Sequence, residues 1–231
     1  TTLPDFFQPT EISSPKKFGV IKEFMTDDVD PEVRARVLEY IEGLKAKGHT
    51  IEEVSLPILK YALAIYYIVV PAEISSNLGR YDGIRYGARA KAGTLSEVYG
   101  QSRDQGFMPE NKRRIMIGSY VLSSGFFDAY YLQAQKARTL LINEFNTLFE
   151  TYDALIGPVA PTPAFKLGEN TEDPVKMYLA DIMTVPASLA GLPAISVPAG
   201  TTEAGLPVGV QLIGARKSDA TLLAIAKQGE A

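Results

Sequence analysis

The sequence predicts an α/β protein whose mixed central sheet is flanked by helices, and three observations predict it. Residues 18–23 (FGVIKE) and 50–56 read as strands separated by one amphipathic helix, the order that forms a crossover onto a parallel pair. Residues 153–159 (DALIGPV) form a short apolar run closed by the turn-rich PVAPTPAF, as expected of a buried strand. Residues 194–197 and 208–213 are two further apolar runs joined by the polar, glycine-containing stretch 200–207. That pattern predicts a hairpin, and with it an antiparallel pair in the middle of the same sheet.

Taken in order, residues 1–17 carry Pro4, Pro9 and Pro15 and read as an extended linker, so the folded portion is expected over 18–231 as part of a single domain. Asp30 is placed to cap a helix over 30–47, with Pro31 at its first position and Glu32 facing the positive end of the helix dipole. Val33, Val37, Tyr40, Ile41 and Leu44 make its apolar stripe, and Gly48 ends it. Residues 57–80 predict a long apolar helix with Tyr66 and Tyr67 at its centre, followed by a loop over 81–93 and a short helix over 95–101. Pro109 opens a further helix carrying Lys112, Arg113 and Arg114, which resumes after Ser123-Ser124-Gly125 as a strong helix over 127–149. A charged loop is expected over 168–174 and a helix over 177–181. Thr184 is then expected to cap a short helix with Pro186 in its first turn, stopped by Gly191 and Pro193. An amphipathic helix over 219–228 closes the chain.

Composition narrows the functions available. Hydrophobic residues make up 46% and charged residues 22% of the 231, which is ordinary globular usage, and the net charge of −4 offers no general attraction to nucleic acid or anionic membrane. Without cysteine there is neither a disulfide nor a thiolate metal site, and a single histidine, His49, excludes a poly-imidazole centre. No metal ligand set is therefore expected, and His49, following Gly48 in a turn, reads as an exposed linker residue. The longest apolar run, 61–70, is shorter than a membrane span, and 1–17 does not resemble a secretory leader; both make a cytoplasmic location the expectation.

The stretch TVPASLAGLPAISVPAGTTEAGLPVGVQLIG (residues 184–214) resembles the core of the amidase-signature enzymes. YYIVVPAEISSNLGRYDGIRYG (66–87) and KRRIMIGSYVLSSGFFDAYYLQAQKAR (112–138) sharpen the resemblance to the A subunits of glutamyl-tRNA(Gln)/aspartyl-tRNA(Asn) amidotransferases, over essentially the whole chain. That resemblance implies an amidase-signature fold and a glutaminase. In the family, this subunit hydrolyses glutamine, and the ammonia converts misacylated Glu-tRNA(Gln) to Gln-tRNA(Gln) on a partner subunit. It further implies B and C subunits as partners, tRNA bound mainly through the partner, and ATP with magnesium used there rather than by this chain.

The family's Lys–Ser–Ser triad sits in a Gly/Ser-rich signature that these residues do not contain. Its nearest lookalike, Ser123-Ser124-Gly125, lacks the surrounding glycines and reads as a small-residue contact between helices. The chain therefore resembles the C-terminal half of such a subunit, with no catalytic residue assigned and no activity expected of it alone. Without strands from the other half it is expected to expose a sheet edge and to self-associate. What the resemblance does carry over is substrate recognition. Arg114 matches the family's ligand for the α-carboxylate, Asp181 its ligand for the α-ammonium, and Tyr66 a hydroxyl in the same pocket. An arginine suits the first role because its planar fork meets a carboxylate through two parallel hydrogen bonds. Gln211 and Thr162 are weaker candidates for the pocket. Two alternatives remain: an amidase-signature hydrolase acting on some other amide, and a non-catalytic scaffold domain derived from the same fold.

Overall fold

The computed structural model describes residue 12 and residues 14–169 and 179–229. Most of the linker expected over 1–17, including Pro4 and Pro9, lies outside the described residues, as do the loop after Glu169 and the expected helix before Leu179. The chain divides into two compact units, Thr1–Leu63 with Arg138–Ala231, and Ala64–Ala137.

The first unit is built on five strands: β1 (Lys17–Ile21), β2 (Thr50–Val54), β3 (Ala154–Pro158), β4 (Ala194–Thr201) and β5 (Pro207–Gly214). Their order is β2-β1-β3-β5-β4. β1 pairs in parallel with β2 and with β3, whereas β3–β5 and β5–β4 are antiparallel, so the sheet is mixed as expected. All five residues of β3 are buried, which identifies it as the strand covered on both faces. Gly19 of β1 makes room for it, since a Cβ there would lie 2.8 Å from Leu155 Cδ2. Asp153 fixes the start of β3 against β1: its carboxylate accepts from the Lys17 amide at 2.8 Å and meets Lys16 Nζ at 3.2 Å.

Helix α1 (Pro31–Ala46) forms where the capping logic places it, with the Asp30 carboxylate accepting from the Glu32 amide at 2.8 Å. It buries Val33, Val37, Ile41 and Leu44. The last helix of the chain, Asp219–Gly229, buries Leu222, Ala224, Ile225 and Ala226, and both helices pack on the sheet beside β4 and β5.

Several expectations need correction. The hairpin is not in the middle of the sheet: among the described residues β4 is a terminal strand. Its Val197 is buried while most of its neighbours are exposed, whereas β5 is buried from Val210 onward. Thr184 does not cap the short helix Val185–Ala190; its backbone is itself helical, and its hydroxyl donates instead to the Asp181 carbonyl at 3.2 Å. β1 stops at Ile21 because residues 22–24 tighten into a 3₁₀ turn. His49 is not a free linker residue. It is half-buried, its Nδ1 accepts from the Lys16 amide at 3.0 Å, and its ring meets Phe18 edge-on.

The second unit is helical: most of α2 (Ala62–Leu78), then α3 (Leu95–Gly106) and α4 (Pro109–Val121). A π-helical turn, Phe127–Leu132, leads into α5 (Gln133–Phe149), most of which belongs to the first unit. The expected continuous helix over 127–149 thus begins as a wider turn. α3 starts where expected, on a capping box in which Thr94 and Glu97 satisfy each other's backbone amides, and runs on past residue 101 to Gly106. By length and composition alone, residues 57–78 could cross a membrane, but this stretch holds Pro71 and presents Tyr66 to a cation, and a third of its apolar window is buried. The short helix Val185–Ala190 is α6, and Asp219–Gly229 is α7.

An exposed polar cluster joins β1, β2 and the turn before β3. Lys17 Nζ lies 2.9 Å from Glu52 Oε1, and the Tyr152 hydroxyl donates to Glu52 Oε2 at 2.7 Å. These hydrogen bonds hold the Glu52 carboxyl below its ordinary value of 4.5. A carboxylate whose folded pKa is depressed contributes stability above the unfolded value and loses it as pH falls through the folded one. Glu52→Gln should therefore lower the urea midpoint slightly at pH 7, and the difference from wild type should vanish in strong acid, as urea titrations across pH would measure.

Candidate functional site

Within the helical unit, α4 lies directly against α2 because Gly118 has no side chain. A Cβ at that position would overlap the Pro71 carbonyl oxygen and lie 2.7 Å from Ser75 Cβ. Beside this contact the Ser75 and Ser119 hydroxyls share a hydrogen bond of 2.9 Å. Before Pro71, nearer the start of the same helix, Tyr66 meets the α4 residue Arg114, whose Nη1 donates to the tyrosine hydroxyl at 3.5 Å.

Arg114 is held from three sides. Its Nε donates to Glu110 Oε1 at 2.9 Å, one helical turn earlier on α4. Its guanidinium carbon stands 5.9 Å from the centre of the Tyr67 ring, which packs edge-on against Tyr66 with centroids 5.1 Å apart. Burial alone acts to lower the arginine's pKa, but the hydrogen bonds with Glu110 and Tyr66 outweigh it and raise the group above its already high ordinary value. The side chain is 22% exposed, and among the described residues Nη2 has no hydrogen-bond partner. The site is a permanent, half-buried cation with one donor edge open, suited to an anionic ligand.

The adjacent Arg113 points elsewhere. It is exposed, and its Nη1 meets the other oxygen of Glu110 at 2.5 Å. Lys112 pairs with Asp104 at 2.6 Å. Of the three residues that the resemblance singled out, Tyr66 and Arg114 are thus brought into contact, within one unit. Asp181 belongs to the other unit. There it sits exposed in the turn that leads into α6, its carbonyl accepting from the Thr184 and Val185 amides at 3.1 Å each. Among the described residues its carboxylate has no partner. Glu110 and Tyr67 escaped the sequence reading, although the spacing of Glu110 and Arg114 is a helical pair written in the sequence.

The weaker candidates resolve into structural roles or shallow hollows of the sheet unit. Gln211 is buried, and its Nε2 donates to the Met183 carbonyl at 2.9 Å. It borders a hollow of about 290 Å³ with Thr184, Ser188 and Ser196. Thr162 borders a second hollow of about 510 Å³, lined mainly by apolar residues of β4, β5 and the turn after β3. Ser123, Ser124 and Gly125 form an exposed turn rather than a contact between helices, with the Ser123 hydroxyl donating to the Tyr120 carbonyl. Among the described residues no group of three or more histidine, aspartate or glutamate side chains could hold a metal ion.

The family model described as Amidase matches residues 2–223. The glutamyl-tRNA(Gln) amidotransferase A subunit of an Exiguobacterium species is 56% identical over 91% of the chain, and that of Myxococcus xanthus is 55% identical over 93%. The chain spans only 44% of the length of each. The crystal structure of the corresponding subunit from Thermotoga maritima matches 93% of the chain at 39% identity with a TM-score of 0.70, covering 42% of that structure. A 6-aminohexanoate cyclic dimer hydrolase, at 19% identity and a TM-score of 0.72, shares the fold.

The Gly118 contact admits no added carbon without moving backbone, so Gly118→Ala should destabilise the protein by about 2 kcal/mol or more. Ser119→Ala removes the hydroxyl's bonds to Ser75 and to the Ile115 carbonyl, without adding volume, and should cost about 1 kcal/mol. Thermal or urea unfolding of the two variants checks this order.

Proposed function

This chain belongs to the amidase family, and from that membership we propose that it is the C-terminal part of the glutaminase subunit of a tRNA-dependent amidotransferase. The single observation that carries the substrate assignment is the half-buried Arg114, held by Glu110 and directed at Tyr66 with a donor edge open. A free amino acid differs from a peptide amide by its α-carboxylate and α-ammonium. In this reading Arg114 takes the α-carboxylate of glutamine, with the Tyr66 hydroxyl as a second donor.

The parent enzyme releases ammonia from glutamine through a serine ester and passes it to a B subunit. There a misacylated Glu-tRNA(Gln), activated with ATP and magnesium, is amidated in a cytoplasmic complex that also contains a C subunit. We assign no nucleophile to this chain. The higher identity to the Thermotoga protein, 39% against 25% for another amidase of similar TM-score, favours this substrate class over a different amide.

Replacing one member of a charge-assisted pair removes about 1.5–3 kcal/mol. Arg114→Ala in the full-length subunit within its complex should therefore raise KM for glutamine by about 10- to 150-fold. Amidation driven by added ammonia should be unchanged. Steady-state kinetics with the two nitrogen donors provides the test, and an unchanged glutamine KM in Arg114→Ala would sink the assignment.

A further inference from the structure

Glu110 stands at this site with no role in the reading above, yet it makes the shortest contact that Arg114 has. One carboxylate serves two arginines: Oε1 accepts from Arg114 Nε at 2.9 Å and Oε2 from Arg113 Nη1 at 2.5 Å. The spacing makes this possible, since residues 110, 113 and 114 stand three and four apart on α4 and share a face. We propose that Glu110 is a positioning residue that fixes the Arg114 guanidinium so that its Nη1/Nη2 edge, and not its Nε edge, is offered to the substrate carboxylate. This inference rests on the assignment of Arg114 made above.

A guanidinium can meet a carboxylate bidentately along two edges, Nε with Nη2 or Nη1 with Nη2. Glu110 occupies Nε, which leaves the terminal edge. On that edge Nη2 has no partner among the described residues, and Nη1 makes only the long 3.5 Å contact to the Tyr66 hydroxyl. An incoming carboxylate can thus take both terminal nitrogens by exchanging a weak contact, while the 2.9 Å bond to Glu110 stays in place. The Tyr67 ring at 5.9 Å backs one face of the plane. Without Glu110, a long, flexible side chain would be held only by the long Tyr66 contact and the Tyr67 ring, neither of which fixes its rotation. Ordering it would then count against substrate binding.

A carboxylate so close to a site for another carboxylate would ordinarily be a poor choice, because like charges repel. Arg113 answers that objection. With its second oxygen bonded to Arg113, Glu110 belongs to a group of two arginines and one glutamate that stays net positive. The site therefore keeps its attraction for an anion. Arg113, exposed and bonded to Glu110, has a use that needs no contact with substrate.

The test uses the full-length subunit in its complex, with glutamine and ammonia as alternative nitrogen donors. Glu110→Ala should raise KM for glutamine about tenfold, with kcat changed less than about twofold and ammonia-driven amidation unchanged. Glu110→Gln should restore most of the affinity, because its amide oxygen still accepts from Arg114 Nε. A glutamine KM unchanged in Glu110→Ala but raised in Arg114→Ala overturns the positioning role alone. An unchanged KM in Arg114→Ala itself overturns the reading on which it rests. Loss of ammonia-driven activity in Glu110→Ala, or a Glu110→Gln variant as weak as the alanine, also overturns the proposal, since the residue would then act through folding or charge rather than geometry.

Discussion

The candidate site depends on one close approach, that of α4 to the backbone of α2 at Gly118. A hydrogen in place of a side chain lets the helix sit against the Pro71 carbonyl, and the neighbouring polar contacts follow from that spacing. Ser75 reaches Ser119, and further along the same pair of helices Tyr66 reaches Arg114. Proline at 71 contributes as well. It lies inside α2 and has no backbone N–H to donate within its helix. An arginine half-sunk between two helices of this unit thus rests on a glycine one turn further along α4.

The sheet unit solves a different problem by different means. Its centre is β3, buried along its whole length and locked to β1 through Asp153. The parallel half of the sheet follows from the β1–α1–β2 crossover, and the antiparallel half from the β4–β5 hairpin. The buried side chains here are large: Phe18, Leu155, Ile156, Leu212, Ile213 and Phe145. Such burial contributes roughly 1.5–3 kcal/mol per side chain, and the Asp153 contacts add alignment to it.

The sheet was legible in the sequence because its signals are local. Apolar runs bounded by proline and glycine mark strands whether or not the neighbours are known, and the Asp30–Pro31–Glu32 start of α1 carries its own capping chemistry. Position within the sheet was not legible. β4 reads like an inner strand because it is apolar, yet it stands at the end of the described sheet, and the order of strands depends on contacts far apart in sequence. The Thr184 cap failed for a related reason, since the backbone was already turning at Asp181 and left the threonine helical. At the site, the identities of Arg114 and Tyr66 came from resemblance to a family rather than from pattern. Their contact depends on Gly118, whose glycine reads in sequence only as a weak point in a helix. Glu110 and Arg114 stand at helical-pair spacing, and because such pairs are common on solvated faces the spacing alone does not mark a site.

The contrast between the two units bears on how the site is made rigid. The helical unit has few large buried side chains; Ile65, Val69, Val98 and Val121 are its main ones, joined by alanines and Ser102. Apolar packing of that kind cannot hold an exposed-ended arginine in one rotamer. The unit instead relies on directed contacts: the Thr94–Glu97 capping box, Arg103 donating to the Leu78 and Tyr81 carbonyls, the Ser75–Ser119 pair and the Ser102 hydroxyl accepting from the Ala90 amide. Hydrogen bonds of this sort contribute about 1 kcal/mol each, less than a buried leucine, but they specify direction where burial does not. A carboxylate receptor needs direction more than it needs depth, because a misaligned fork forfeits one of its two bonds. Around Arg114 the directed contacts are those to Glu110 and Tyr66, and of the two the bond to Glu110 is the shorter and sets the direction of the guanidinium.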